Sequence, residues 1–132
     1  MKRRSYLKKM AAAGVAAAFP LLAAETDSKS IQLHVDLSVD PAKEKEMLDI
    51  FHRQFGPAAA KQPGFIDAKM IKLRKALQGS APSGANYRFV LQFQTEEQRQ
   101  HWIATPIHQK LWPTIENTLS SKDYTVLLFD VS

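Results

Sequence analysis

Histidine is the residue type best suited to chemistry in this sequence of 132 residues, which contains four histidines and no cysteine. Without cysteine, disulfide bonds, thiol nucleophiles and cysteine-based zinc or iron–sulfur sites are excluded. An imidazole can still bind a metal ion or transfer a proton near neutral pH. No two histidines are four residues apart, the spacing at which one helix supplies two metal ligands. We therefore predict no metal site, which leaves proton transfer as the chemistry open to His34, His52, His101 and His108.

One of these histidines belongs to a polar group on two predicted strands. Residues 31–39 alternate between apolar and polar side chains, which is typical of a half-buried strand, and His34 and Asp36 fall on its polar face. Residues 86–94 alternate in the same way and place Arg88 and Gln92 on their polar face. We expect these four side chains to form a polar network, because charges that become buried at an interface must be paired.

A helix and a second strand follow the first of these strands. Asp40-Pro41 supplies a helix cap and a proline at the first helical position, and Gly56-Pro57 predicts a kink or a restart. Residues 65–75 predict a strand in which the apolar phase slips by one residue. We interpret the slip as a β-bulge near Met70.

The second half of the sequence repeats this arrangement. Thr95 and the acidic residues after it predict a helix cap, and Thr105-Pro106 predicts a second helix start with an apolar stripe that begins at Ile107. Residues 124–131 are apolar at consecutive positions, as in a strand covered on both faces.

The element order predicts an α+β fold of the ferredoxin-like βαββαβ type, an antiparallel four-stranded sheet with helices on one face. Right-handed crossovers put the first and third strands side by side at the centre, which brings the polar group together. The other face would leave Val90 and part of the last strand exposed in a monomer. We therefore expect a homodimer in which a second copy covers that face.

The distribution of charge argues against a nucleic-acid-binding protein, although the net charge is +5. Five of the 18 basic residues precede residue 10, and the other 13 equal the 13 acidic residues in number. The rest of the chain therefore lacks the clustered positive charge that phosphate binding requires. We predict no nucleic-acid partner.

Residues 1–24 have the organisation of a signal peptide, with a basic segment followed by a mildly apolar one. The segment from Lys2 to Lys8 resembles the twin-arginine export motif, with Arg3 and Arg4 as the arginine pair. We expect cleavage near Ala24 and export of a single domain, residues 31–131, to the periplasm by the twin-arginine machinery. A membrane anchor is the alternative, but the apolar stretch is shorter than the roughly 20 residues that span a bilayer.

Several motifs between residues 31 and 131 carry a resemblance to a known family. They are Pro63-Gly64-Phe65, Tyr87-Arg88-Phe89, Phe93-Gln94-Thr95-Glu96-Glu97, the segment from Trp102 to His108, and Trp112. In these motifs the sequence resembles the antibiotic-biosynthesis monooxygenase family of dimeric α/β barrels. The resemblance implies a homodimer that oxidises a small quinol-like aromatic substrate with dioxygen and without a cofactor.

The resemblance also implies a site between the sheet and the second helical segment. Cofactor-less members of the family bind their substrate there with an amide, a tryptophan one turn later and a phenol further along. Gln98 matches the amide and Trp102 the tryptophan, with Trp112 as a further substrate contact, whereas His108 stands where the phenol would be. His108 is then the candidate base that deprotonates a hydroquinone, the step that lets the ring donate an electron to dioxygen.

Other interpretations remain open, because one fold hosts many functions. A non-catalytic protein that binds a small apolar ligand, or a domain that assembles with an exported partner, is compatible with the same fold. Haem degradation fits less well, because Trp112 stands where that site requires a histidine and residues 31–39 contain no asparagine. Trp102 and Trp112 also fit simple packing, and His52 and His101 fit solvated helix surfaces.

Overall fold

The computed structural model of the protein describes residues 29–132, so the predicted signal peptide, with Arg3 and Arg4, lies outside the described residues. The strands are β1 (Ile31–Leu37), β2 (Phe65–Lys72), β3 (Tyr87–Phe93) and β4 (Thr125–Asp130). The helices are α1 (Glu44–Ile50), α2 (Gly56–Ala60), α3 (Glu96–Ala104) and α4 (Pro106–Glu116). A 3₁₀ turn (Pro41–Lys43) precedes α1, a π-helical turn (Phe51–Phe55) joins α1 to α2, and a second 3₁₀ turn (Pro82–Gly84) precedes β3.

The four strands form one antiparallel sheet in the order β2-β3-β1-β4, with helices on one face. This is the predicted ferredoxin-like α+β fold, with the first and third strands at the centre. The register aligns Asp36 with Arg88 and His34 with Val90. The sequence prediction of the fold class is therefore confirmed.

Alternate residues of the central strands build the core beneath the helices. On β1, Ile31, Leu33, Val35 and Leu37 are buried, and on β3 the buried positions include Phe89. Helical side chains such as those of Phe55, Trp102 and Ile115 pack onto this surface. The period-two pattern of the sequence thus defines which face of the sheet the helices cover.

The helix after β1 changes its hydrogen bonding where a proline follows. Asp40 caps its start, since the carboxylate accepts a hydrogen bond from the backbone N–H of Ala42 at 2.9 Å. At the π-helical turn, the N–H of Gly56 donates to the carbonyl oxygen of Phe51, and a Cβ at residue 56 would lie 3.0 Å from that oxygen. Pro57 has no N–H to donate and clashes with an ordinary helix turn, so the wider turn accommodates it. The predicted interruption at Gly56-Pro57 is confirmed.

The bulge in the second strand is not where the sequence analysis put it. The register between β2 and β3 shifts between Phe65 and Asp67, while Met70 pairs regularly with Phe89. The extra residue is Ile66, whose side chain is 44% exposed. The prediction of a bulge near Met70 was wrong because Phe65, not Ile66, supplies the core contact at the start of the strand.

The two segments of the second helical region begin at the predicted caps. Thr95 accepts a hydrogen bond from the N–H of Gln98 at 3.1 Å, and Thr105 accepts one from the N–H of His108 at 3.3 Å. The apolar stripe on α4 is shorter than predicted, because Ile107 is exposed while Leu111 and Ile115 are buried. No helix among residues 29–132 is long and apolar enough to span a membrane.

The last strand leaves a continuous apolar edge in the single chain. Residues 126 to 129, Val-Leu-Leu-Phe, are each between 42% and 51% exposed. The sequence analysis expected Val90 to be exposed as well, but it is 8% exposed because its register neighbours His34 and Lys69 flank it. The expectation about Val90 was therefore wrong, and the exposed apolar surface is concentrated on β4.

Candidate functional site

A cavity of about 140 Å³, partly open to solvent beside the half-exposed Val126, lies between the sheet and the second helical region. Strand residues form its floor, and helical and loop residues form its walls. Most of the wall is apolar or aromatic, and the polar groups come from three residues, Arg99, His108 and Tyr124. The lining residues are Leu33, Val35, Phe55, Phe89, Leu91, Arg99, Trp102, Ile103, His108, Trp112, Tyr124 and Val126.

His108 is held in this cavity by aromatic rings on three sides. Its ring meets that of Trp102 edge-on, with centroids 4.9 Å apart, and lies nearly parallel to Trp112 at 6.3 Å and 18°. Phe55 lies 5.6 Å away. Within residues 29–132 no group hydrogen-bonds either ring nitrogen, so the imidazole is free to bond a ligand.

The surroundings of His108 keep its imidazole neutral. Burial among apolar side chains, followed by the positive charge of Arg99, lowers the pKa of His108 from 6.5 to about 4. At neutral pH one ring nitrogen is therefore available to accept a hydrogen bond and the other to donate one. The sequence analysis identified His108 as the candidate base, but the residue type alone does not predict this lowered pKa.

Arg99 brings a positive charge to the cavity, and the sequence analysis did not identify it. Its Nε and one terminal nitrogen donate to the two carboxylate oxygens of Glu96, each at 2.6 Å. This bidentate pair uses two of the five N–H donors of a guanidinium, and three remain for a ligand. The hydrogen bonds from Arg99 lower the pKa of Glu96, so the pair stays charged at neutral pH.

Tyr124 supplies a phenol to the cavity. The family resemblance had implied that this phenol is absent and that His108 stands in its place. Tyr124 precedes β4, and its hydroxyl accepts a hydrogen bond from Nε1 of Trp112 at 3.0 Å and donates one to Glu116 at 2.7 Å. Burial, followed by the hydrogen bond to Glu116, raises the pKa of Tyr124, so the phenol stays protonated at neutral pH. Because Tyr124 is far from Trp102 in the sequence, the spacing of the motifs does not reveal that both residues line the same cavity. Its position directly before an apolar strand is the sequence feature that could have identified it.

Gln98 does not line the cavity, in contrast to Trp102 and Trp112. Its side-chain oxygen is buried and has no hydrogen-bond partner among residues 29–132. It lies 2.0 Å from the position that a Cβ on residue 64 would occupy. Gly64 has a positive φ of 85°, so a glycine is favoured there both by conformation and by the close approach of Gln98. Trp102 is fully buried, and its Nε1 also has no partner in the described residues.

The predicted polar network lies on the sheet face without helices, and it divides into two parts. Asp36 accepts hydrogen bonds from Nε and a terminal nitrogen of Arg88, at 2.7 and 3.2 Å. His34 instead bonds Gln32 at 2.8 Å, and Gln32 donates to Gln92 at 3.3 Å.

One ring nitrogen of this network lacks a hydrogen-bond partner within residues 29–132. Nδ1 of His34 is buried and has no partner in the described part of the chain. Burial, followed by the charge of Arg88, lowers the pKa of His34 and so favours the neutral ring.

The remaining candidates for chemistry are dispersed. His52 and His101 are exposed on helices. Residues 29–132 contain no cluster of three or more His, Asp or Glu side chains that could hold a metal ion. Two larger clefts, of about 360 and 380 Å³, open at the surface beside the loop after β2 and between α2 and α4, and neither includes His108 or a tryptophan.

These features define a ferredoxin-like α+β protein with a small aromatic cavity between its sheet and its helices. The sequence matches no model of a protein family, and no curated protein is similar enough to indicate a relationship. Solved structures, however, share the fold over nearly all of their length.

Three of these structures illustrate the range of proteins with this fold. A variant of SnoaB, a cofactor-independent oxygenase from Streptomyces nogalater, is 16% identical with a TM-score of 0.63, and the match covers 78% of this chain and 93% of that one. An antibiotic biosynthesis monooxygenase is 16% identical with a TM-score of 0.61, covering 78% and 98%. A hydroxynitrile lyase from Passiflora edulis is 10% identical with a TM-score of 0.64, covering 80% and 95%. At these identities the likeness defines the fold, and the chemistry must be argued from the site.

Proposed function

We propose that the protein is a cofactor-independent monooxygenase that acts on an electron-rich, quinol-like aromatic substrate. One observation carries the proposal: a neutral imidazole, His108, and a guanidinium, Arg99, line the same aromatic cavity. An apolar cavity with a few convergent polar groups is the usual form of a small-molecule site. The similarity in fold to a cofactor-independent oxygenase supports the same reaction class.

The first step is formation of the substrate anion. The aromatic walls receive the ring, and its hydroxyl group donates a hydrogen bond to the unprotonated nitrogen of His108. A histidine with a pKa of about 4 is a weak base, so proton transfer to it requires help. The free N–H donors of Arg99 supply that help, because they stabilise the negative charge that develops on the phenolic oxygen.

The second step is oxidation of the anion by dioxygen. The phenolate transfers one electron to dioxygen, and the resulting radical pair combines to form a C–O bond at a ring carbon that bears hydrogen. The protonated His108 returns its proton to the terminal oxygen of the resulting peroxide anion, and loss of water from this hydroperoxide breaks the O–O bond and leaves a carbonyl group. In total, a phenol and one dioxygen give a quinone and one water, so one oxygen atom enters the product and the other leaves with the two hydrogens.

A non-catalytic ligand-binding protein is the second candidate, and the low pKa of His108 favours it. A weakly basic imidazole that hydrogen-bonds a phenol would fix the orientation of a ligand without removing its proton. Haem binding or degradation has less support, because Trp112 stands where that site requires a histidine and residues 31–39 contain no asparagine.

The proposal includes an exported homodimer. Leu127 and Phe129 of β4, which are exposed, and the unpartnered Nδ1 of His34 lie on the face without helices, which supports coverage of that face by a second copy. The arginine pair Arg3-Arg4 and the apolar segment after it support export by the twin-arginine machinery to the periplasm, with cleavage near Ala24.

Oxygen consumption by the purified protein with simple phenols and hydroquinones tests the reaction. Monooxygenation places one oxygen atom in the product and releases the other as water, without free hydrogen peroxide, so catalase should leave the measured oxygen uptake unchanged. Oxidation without oxygen transfer produces hydrogen peroxide, and catalase would then lower the uptake by half. Binding of the same compounds without oxygen uptake would contradict catalysis and support the ligand-binding candidate.

A further inference from the structure

The open side of the cavity faces the last strand of the sheet. Among the lining residues, all of which lie within residues 29–132, Val126 alone is exposed, at 51%. Val126 belongs to the edge strand β4 and lies opposite Val35 of β1. The register places it on the face of the sheet that the helices cover, because Val35 is part of the core beneath them. A ligand in the cavity can therefore extend outward over this face of β4.

The surface next to this opening is apolar. Leu128 lies opposite Leu33, which lines the cavity, and Leu128 itself is 48% exposed. Side chains two residues apart on a strand share one face and lie about 7 Å apart. Val126 and Leu128 thus form a half-exposed apolar surface that begins at the opening, and we call it the β4 strip. Asp130 follows on the same face and ends the strip with a carboxylate.

The opposite edge of the sheet is covered differently. On β2, Ala68 and Met70 face the helices and are partly buried against the core. The corresponding face of β4 is about half exposed. Leu127 and Phe129 lie on the other face, where the proposed second copy packs, so a dimer formed through that face leaves the β4 strip uncovered. An exposed apolar surface that adjoins a pocket is typical of a ligand-binding groove.

We propose that the site binds phenols that carry an apolar side chain, with the ring in the cavity and the chain on the β4 strip. Arg99 and His108 provide polar contacts inside the cavity, whereas the strip consists of two hydrocarbon side chains and suits an uncharged chain. The inference deepens the proposed function by naming the substrate class, and it rests on that function for the location of the site. It concerns binding alone, so it can be tested without turnover.

Calorimetric titration of the purified protein with phenol and with meta- and para-alkylphenols of increasing chain length tests the proposal. Each methylene that the strip covers is removed from water, which raises the affinity by up to about fourfold. We expect the affinity to rise with chain length in at least one of the two series and to level off once the chain passes Leu128. An affinity that does not rise with chain length in either series would overturn the proposal.

Two matched variants locate the alkyl chain. Leu128→Ser removes apolar surface from the strip, and it should lower the affinity for the tighter-binding hexylphenol relative to phenol by about fivefold, because about half of a leucine side chain is available for contact. Leu127→Ser makes the same change at the neighbouring position on the opposite face, and it should leave this ratio of affinities unchanged. Leu128→Ala serves if the serine variant does not fold. The wild-type ratio in Leu128→Ser, or the same fall in both variants, would contradict the strip as the binding surface.

A second copy of the chain is the other possible occupant of the strip, and sedimentation of the same variants distinguishes it from the ligand. If a second copy covered the strip, Leu128→Ser would weaken the dimer and leave the ratio of affinities unchanged. That outcome would overturn the proposal. A dimer of wild-type strength together with a lowered ratio would support it.

Oxygen uptake separates this inference from the proposed function. If the alkylphenols bind as predicted and no oxygen is consumed, the monooxygenase function fails and the ligand class stands. If phenol is oxidised and the alkyl chain has no effect on affinity, the ligand class fails and the monooxygenase function stands.

Discussion

The indole of Trp112 and the phenol of Tyr124 are joined by a hydrogen bond of 3.0 Å from Nε1 to the hydroxyl oxygen. The two residues belong to α4 and to the segment before β4, so the bond ties a helix to the edge of the sheet. Glu116 accepts a hydrogen bond from the phenol O–H at 2.7 Å, which fixes the direction of the bond from Trp112. The orientation of Trp112, and with it the wall that lies parallel to His108, thus depends on Tyr124.

Replacing Tyr124 by phenylalanine should therefore loosen the cavity. The partly buried N–H of Trp112 would lose its acceptor, which costs about 1–3 kcal/mol of folding free energy. We expect a lower urea midpoint and weaker binding of phenol. Tyr87→Phe is the matched control, because its hydroxyl bonds Glu44 far from the cavity, and it should leave phenol binding unchanged. Equal effects of the two variants on binding would argue against a role for Tyr124 in the site.

The lowered pKa of His108 predicts a specific dependence of stability on pH. The unfolded chain binds a proton at this residue below its ordinary pKa of 6.5, whereas the folded protein binds it only below about 4. Stability should therefore fall as the pH is lowered from 6.5 to about 4, and it should change no further from this cause below 4.

This dependence is measured by urea unfolding at several pH values in the wild type and in His108→Gln. The variant lacks the titrating group, so the difference in unfolding free energy between the two proteins should change over that range. A constant difference from pH 7 to pH 4 would show that His108 titrates normally in the folded protein.

The exposed residues of β4 should govern association between copies. Leu127 is 42% exposed and lies opposite His34 in the sheet, so Leu127→Glu would place a charge within the apolar contact. We expect a dimer for the wild type and a shift to monomer for this variant in sedimentation runs at micromolar concentration. Leu77→Glu, at a position 89% exposed in a loop, should remain dimeric. A monomeric wild-type protein in the same sedimentation runs would contradict the proposed homodimer.

Export should depend on the arginine pair. Changing both Arg3 and Arg4 to lysine keeps the positive charge but removes the motif that the twin-arginine machinery reads. We expect the protein to stay in the cytoplasm, with unchanged thermal unfolding of the domain. Cell fractionation measures the distribution, and normal export of the double variant would count against this route.

Local rules of the sequence were sufficient for most of the fold. The alternation on β1 and β3, together with the caps at Asp40, Thr95 and Thr105, predicted elements that the structure contains. The bulge was misplaced because Phe65 and Ile66 suit the core equally well by residue type, and only packing decides which of them faces it.

The site was less predictable because it depends on contacts between distant segments. Arg99 enters the cavity beside Trp102, whereas its neighbour Gln98, which the motif comparison suggested, lies against Gly64. The contact between Tyr124 and Trp112 depends on the pairing of β4 with the sheet, which the local sequence does not show. The pKa of His108 follows from burial, which composition and spacing do not provide.

Comparison of His108→Ala with His101→Ala in oxygen uptake tests the central claim most directly. His108 lies in the cavity and His101 is exposed one helix earlier, so the same change is made inside and outside the site. The account predicts that His108→Ala lowers turnover of a single-ring phenol by about 10²- to 10⁴-fold, while His101→Ala retains the wild-type rate. Equal rates for both variants and the wild type would contradict a catalytic role for this cavity.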